Sequence, residues 1–499
     1  MTLTRSLTMT SAFALFAGPA LADLTAEQVL ADQLQQLSTV GISVKTTGES
    51  RSGNTLTVEG LEGTAELPEG AMAFTVGGAQ FIEQGDGTVR IAYDATLPVT
   101  FTGVSVDGET FEMAMSLNQE DFSQIASGSP EKIRYDFEAA SISLTDLRFL
   151  QPAEAAELDM TVMVEAMGMS GFTELTGGDI RDYVADIALE AITMTFSGTD
   201  PDGPNGEFSF QMDLADLSAA YEGAFAAQNL MDSFAQSIAK GNRTKGAMTH
   251  GAVSYALAGD GPEGQFQMSM TAGSGDLDFE IGEAGLSYGG TTKDVAATFG
   301  GTMMPLPPVS ISMAETGGRL TMPVVPGDDP QDFALRMSMT GLEIDPVLWS
   351  MFDPGEQLPR DPATLVVDLD GEVVLTEDVF APDFAEQSMT APPGQINELN
   401  VNELRLSLAG AELSADADFT FNNEMGMPVP SGVANIMLMG SNQLMDTLVA
   451  MGLLPQDQAM GARMMMGMFA RPGDGPDTLV STIEVNEDGS ILANGQRIK

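Results

Sequence analysis

The 499-residue sequence contains no cysteine and a single histidine. The first absence excludes disulfides, thiolate metal sites and thiol catalysis. The second excludes a histidine-rich metal centre. One tryptophan and six tyrosines leave few rings for stacking sugars. Positive charge is also scarce: 20 Lys and Arg against 72 Asp and Glu give a formal net charge of −52. Phosphate binding needs a basic surface, so nucleic acid is excluded as a partner. Charge-driven docking on anionic headgroups is disfavoured for the same reason. Beyond the first 22 residues, no stretch approaches the ~18 uninterrupted apolar residues of a membrane helix.

What is present begins with a leader. Arg5 supplies a positive start, Leu7 to Gly18 is mostly apolar, and Pro19 precedes Ala20-Leu21-Ala22, an A-x-A cleavage site. The expectation is a signal peptide over 1–22, cleaved after Ala22, and a soluble periplasmic chain from Asp23 onward. Losing Arg5 takes the net charge from −52 to −53. Such acidity suits a salty exterior, because salt screens self-repulsion.

The body reads as mainly β, with large curved antiparallel sheets in a β-meander. Gly (54) and Pro (26) punctuate short runs of period-2 alternation. Thr55–Val58, Thr88–Tyr93, Ser141–Thr145, Leu158–Val162, Leu404–Leu408 and Leu413–Phe421 each carry one apolar and one polar face. Asp202-Gly203-Pro204-Asn205-Gly206 and Asp260-Gly261-Pro262-Glu263-Gly264 lead into similar segments, Glu207–Met212 and Gln265–Met270, 58 residues apart. The recurrence reads equally as a weak repeat or as a common turn met twice.

A few packed amphipathic helices are expected. Thr25-Ala26-Glu27-Gln28 forms a capping box ahead of Val29, Leu30, Leu34 and Leu37. Residues 214–240 fit a helix through Tyr221, Phe225, Leu230, Phe234 and Ile238. Near the C-terminus, Ser441 caps one helix and Pro455 opens a second through Met460, Met464 and Met468, giving a helix hairpin. Turn-rich 240–246 and Pro-rich 382–395 suggest a division into 23–240, 241–395 and 396–499.

No catalytic constellation emerges. His250 has no G-x-S-x-G elbow to serve, and reads as a surface or turn residue. Ser129/Lys132 and Ser237/Lys240 have S-x-x-K spacing without the S-D-N and K-T-G elements that such chemistry uses. Trp349 follows Pro346-Val347-Leu348 and reads as a core anchor. Asp200, Asp202 and Asn205 approach a calcium loop. Asn205 and Gln211 stand where an EF-hand needs Gly and Glu. Asp328, Asp329 and Asp332 form a further acidic loop. No catalytic residue, metal site or cofactor is assigned.

Methionine is abundant, at 34 residues. Met160, Met163, Met212, Met268, Met270, Met464 and Met468 are the candidates for a pliable apolar groove, since thioether side chains adapt to varied partners. Cu(I) binding by the same thioethers would need histidines among them, and these are missing.

The segments Leu453-Leu454-Pro455, Arg463–Pro472 and Asp488–Gln496 resemble the uncharacterised alphaproteobacterial domain-of-unknown-function family 2125. The leader, the length and the β-meander body fit that family over nearly the whole mature chain. The resemblance implies no catalytic residues. Asn397–Leu408 followed by Gly410–Leu413 also resembles the repeated strands of AsmA-like envelope proteins, whose long sheets are thought to carry or shield lipid. The lack of an anchor and the acidity depart from that pattern.

The leading expectation is a non-enzymatic periplasmic envelope protein that binds a lipid or other apolar ligand, or an envelope protein partner. One alternative is a structural scaffold without a small ligand. Another is a carboxylate-based, calcium-assisted hydrolase.

Overall fold

The computed structural model describes residues 23–39, 41–67, 70–105, 109–151, 160–200, 206–226, 234–261, 264–304, 306–381, 384, 393–423 and 428–499. The leader and the Asp202–Asn205 turn lie outside these residues. The described residues form one 27-stranded sheet. Its path is a meander in which each row pairs antiparallel with the rows before and after it, as Met160–Thr176 does with Lys132–Gln151 and Ile180–Asp200. Some rows are split end to end. Val89–Tyr93 and Thr96–Ser105 both pair with Gly70–Glu83. Arg243–His250 and Val253–Gly261 both pair with Gly206–Ala226. The mainly β expectation therefore holds.

The alternation read from the sequence explains the strands, and short turns explain the connectivity. Leu408 pairs with Ala411 across Ala409 and Gly410, whose φ values are 51° and 77°. Ala493 pairs with Gln496 across Asn494 and Gly495, with φ of 49° and 80°. Two left-handed residues match the right-handed twist of the flanking strands. Pairing continues from Gly206–Ala226 to Arg243–His250, and from Ala363–Leu375 to Gly394–Leu408. The interior boundaries expected at 240 and 395 thus fall within one sheet. Most of the expected 382–395 linker lies outside the described residues.

Five helices decorate the sheet among the described residues: α1 (Ala26–Thr39), α2 (Phe234–Ala239), α3 (Pro346–Phe352), α4 (Ser441–Ala450) and α5 (Gln456–Phe469). The capping box of α1 forms as expected. Thr25 N donates to Gln28 Oε1 at 2.9 Å, and Gln28 N donates to Thr25 Oγ1 at 3.3 Å. The C-terminal hairpin is α4 and α5. Its first cap differs from expectation: Gly440, at φ 68°, precedes the helix without a side-chain bond, and Ser441 is already helical.

The long helix expected over 214–240 is corrected. Gly206–Ala226 is strand, and among the described residues of that stretch helix covers only Phe234–Ala239. Leu230 lies outside the described residues. The reason is local. Asp216 adopts φ 52° in mid-strand. Exposed positions are odd up to Gln211 and even from Asp216 to Glu222. One such shift turns strand spacing into Leu214, Leu217, Tyr221, Phe225, which mimics a helical period.

Among the described residues, three buried clusters hold the fold. The largest packs Leu24, Val29 and Leu30 against Leu56, Val58, Phe81, Val89, Ile91, Ile133, Tyr135 and Leu175. A second joins Val253, Ala272 and Val295. In the third, Trp349 packs with Leu358 and Ala409 beneath Leu444, Leu448 and Met451. Trp349 is thus a core anchor, as its context suggests.

Candidate functional site

The site is built from register. Partners directly opposite across a sheet point to the same face. Starting at Tyr135, successive partners are Thr173, Ala185, Tyr221, Gly246, Phe279, Tyr288 and Leu320. The same line continues through Leu335, Leu369, Val401, Ala417, Ala434, Ile483 and Ala493. One residue from each row contributes, and nearly all are apolar. The next line over, on the opposite face, runs Arg134, Glu174, Val184, Glu222, Lys245, Glu280 and Ser287. The sheet therefore has one apolar and one polar face across almost its full width.

A row of left-handed residues keeps that face continuous. Asp121, Gly168, Asp216, Asp294 and Gly341 have φ between 51° and 66°. Each sits within one residue of the same level of its row: Gly168 between the pairs 167–141 and 169–139, and Asp216 between 215–191 and 217–189. A non-extended residue breaks the period of two. Apolar residues on one parity before it, and the other parity after it, then share a face. Beyond this level the face carries Ile142, Ala166, Ile192, Leu214 and Val253, opposite one another in turn.

The candidate methionines divide. Met160, Met212, Met268 and Met270 lie on the apolar face, and Met212 is linked to Met270 through Tyr255. Met163 pairs with Thr195 and points to the opposite face. Met464 and Met468 are on α5 and exposed, away from the strand methionines. The recurrent segments found in the sequence occupy equivalent places two rows apart: Phe208 and Phe266 both oppose Gly259.

Part of the apolar face is covered and part is not. Helix α1 covers it at one end of the early rows. In later rows, Tyr288 and Met337 are 53% and 51% exposed, and Leu320 and Leu406 are exposed as well. Exposed apolar patches are the kind of surface at which interaction sites occur.

Sequence reasoning missed a buried polar cluster under α1. Arg181 Nη2 pairs with Asp32 Oδ1. Tyr135 Oη donates to Asp32 Oδ2 at 2.7 Å, and Gln36 Nε2 donates to the same oxygen at 2.8 Å. Arg181 Nε donates to Thr176 O at 2.8 Å. Burial, and then the adjacent Asp32 carboxylate, push the Tyr135 phenol far above its ordinary range, so it stays a donor. The signal was available: Asp32 is a charge beside Val29 and Leu30 on the apolar side of α1.

The remaining candidates are placed as follows. His250 is half-buried, with Nδ1 2.8 Å from Gly251 O. Ser129 faces Lys132 across a hairpin turn, and Lys132 pairs with Glu174 at 2.7 Å. Ser237 and Lys240 stand at the end of α2, where Lys240 N donates to Ser237 O. Among the described residues, no three acidic or histidine side chains are grouped to hold a metal ion. None of their helices is long and apolar enough to cross a membrane.

The fold and site define a β-meander protein with one long apolar face. Residues 291–493 match the family model DUF2125, described as an uncharacterized protein conserved in bacteria. This is the family that the C-terminal segments resemble, and the match covers rows from Gly285–Gly300 to the last hairpin rather than nearly the whole chain. No curated protein and no solved structure matches the chain.

Proposed function

We propose that this is an exported, non-enzymatic envelope protein that carries a lipid or similar apolar ligand on the apolar face of its sheet. One observation carries the reading: the line from Tyr135 to Ala493 is apolar in nearly every row, and two of its members, Tyr288 and Leu320, are exposed on that face. Exposed apolar surface costs about 25 cal/mol per Å² relative to burial. An acyl chain lying across the rows would recover that free energy without needing directional contacts. Methionines on the face suit a ligand of variable shape. The leader and the acidity support export, but they do not select the ligand.

The test is organic extraction and mass spectrometry of the chain purified from a bacterial periplasm in salt. A stoichiometric lipid is expected. Met212→Asp with Met270→Asp should lower it by more than half. An empty wild-type protein, or unchanged lipid in the double variant, would sink the reading and favour a structural scaffold.

A further inference from the structure

Helix α5 is inside out. Its shielded positions are Ala459, Ala462, Arg463 and Met466, and its exposed positions include Met460, Met464, Met465 and Met468. Met464 is 66% exposed and Met468 63%. The one base of the hairpin folds back onto α4 instead. Arg463 Nη2 reaches Asp446 at 2.6 Å and Asn442 O at 3.1 Å, and Nε donates to Asn442 Oδ1 at 3.1 Å. An ordinary surface helix places these residues the other way round.

We propose that this methionine face is a docking surface for a neutral lipid bilayer, which α5 meets lying flat. Three observations select a bilayer over a protein partner. First, the hairpin Ser441–Phe469 holds two acids, Asp446 and Asp457, and one base, Arg463, within a chain of net charge −52. It is a nearly neutral patch on a strongly acidic molecule, so it can approach headgroups with little repulsion. Second, unbranched thioethers conform to a fluid apolar phase and do not demand a shaped partner. Third, the hairpin that carries this face packs at the end of a strand of the apolar face. Helix α4 packs on Ala409, and the exposed Leu406 and Leu408 lead along their strand to that residue. Interfacial helices bury such a face at the boundary between headgroups and acyl chains. The inference deepens the lipid-carrying reading and rests on it for its purpose: docking would place the bilayer beside the end of the apolar face.

The test is co-flotation of the chain from Asp23 onward, the whole described fold, with phosphatidylcholine vesicles. Wild type should float with them, and less so when a third of the lipid is phosphatidylglycerol. Met464→Asp with Met468→Asp should reduce flotation at least tenfold while leaving the melting temperature and the extractable lipid unchanged. Met464→Leu with Met468→Leu should float like wild type. Equal flotation of the Asp variant would overturn the proposal, as would a wild type that does not float. A wild-type dimer that the Asp variant dissolves would also overturn it, by assigning the face to a second copy. Because extracted lipid is scored separately, failure of docking is distinguishable from failure of carriage.

Discussion

Asp32 on α1 and Arg181 on strand Ile180–Asp200 form a buried ion pair across 149 residues of sequence. The pair fastens the one helix that covers the early apolar face to the eighth row of the meander. A buried ion whose partner is removed pays its desolvation cost without return. Asp32→Ala should therefore destabilise the fold by about 3–5 kcal/mol in urea unfolding. Asp32→Ala with Arg181→Leu should recover much of that loss. A single variant as stable as wild type would show that α1 is not fastened there.

A second prediction concerns backbone crowding. A Cβ added at Gly78 would lie 2.0 Å from Val58 O and 2.7 Å from the Glu59 carbonyl carbon. These are main-chain atoms of the paired strand and cannot rotate away. Gly78→Ala should cost about 1–3 kcal/mol, the usual range for overpacking. Gly53→Ala serves as the control for the strain of a left-handed φ alone, since its φ is 63° and nothing lies within 4 Å. Thermal melts of the two variants check this, and an unchanged Gly78→Ala melt would refute it.

The third is a salt dependence. At −52 the chain repels itself, and the Debye length falls from about 30 Å at 0.01 M salt to about 10 Å at 0.1 M. The melting temperature should rise by several degrees over that range and then level off. A flat profile would mean that the charges are already neutralised locally.

The fourth is a pH dependence near α1. Arg51 lies 2.7 Å from Glu83 and also pairs with Glu27. The Arg51 hydrogen bond, followed by the Ala26 N–H, holds the Glu83 carboxyl below its ordinary value of 4.5. For Glu27 a backbone N–H acts first and Arg51 second, in the same direction. A depressed carboxylate stabilises the fold above the unfolded value, and that contribution disappears as pH falls through the folded one. Arg51→Met should therefore melt lower than wild type at pH 7. The gap should narrow below about pH 4, where protonation removes the contribution. A gap constant from pH 7 to pH 3 would rule out the linkage.

Much of the fold was legible because it is local. The Thr25/Gln28 box and the helix hairpin each depend on residues within a few positions. The strands were legible through alternation, up to the level of Asp216. There one left-handed residue changed the parity, and a strand took on the spacing of a helix. The candidate site was legible in part. Alternation places Met160, Met212, Met268 and Met270 on a common face, but parity also separates Met163 from them. Met464 and Met468 stand apart because α5 turns its methionines outward, and that depends on Arg463 finding Asp446 and Asn442. Asp32, Tyr135 and Arg181 were invisible as a group, since only the folded rows bring them together.

The meander also makes the molecule additive. Strand against strand, each row touches little beyond its two neighbours, so outside the rows that α1 ties together contacts stay near the diagonal of the sequence and each row resembles a plank in a boardwalk. Removing or inserting two adjacent rows together would preserve strand direction and face on both sides of the splice. The reach of the apolar face would change by about 10 Å, two interstrand spacings. Chain length would thus act as a ruler for that face, and a lineage could lengthen or shorten it in steps of one hairpin without redesigning a core.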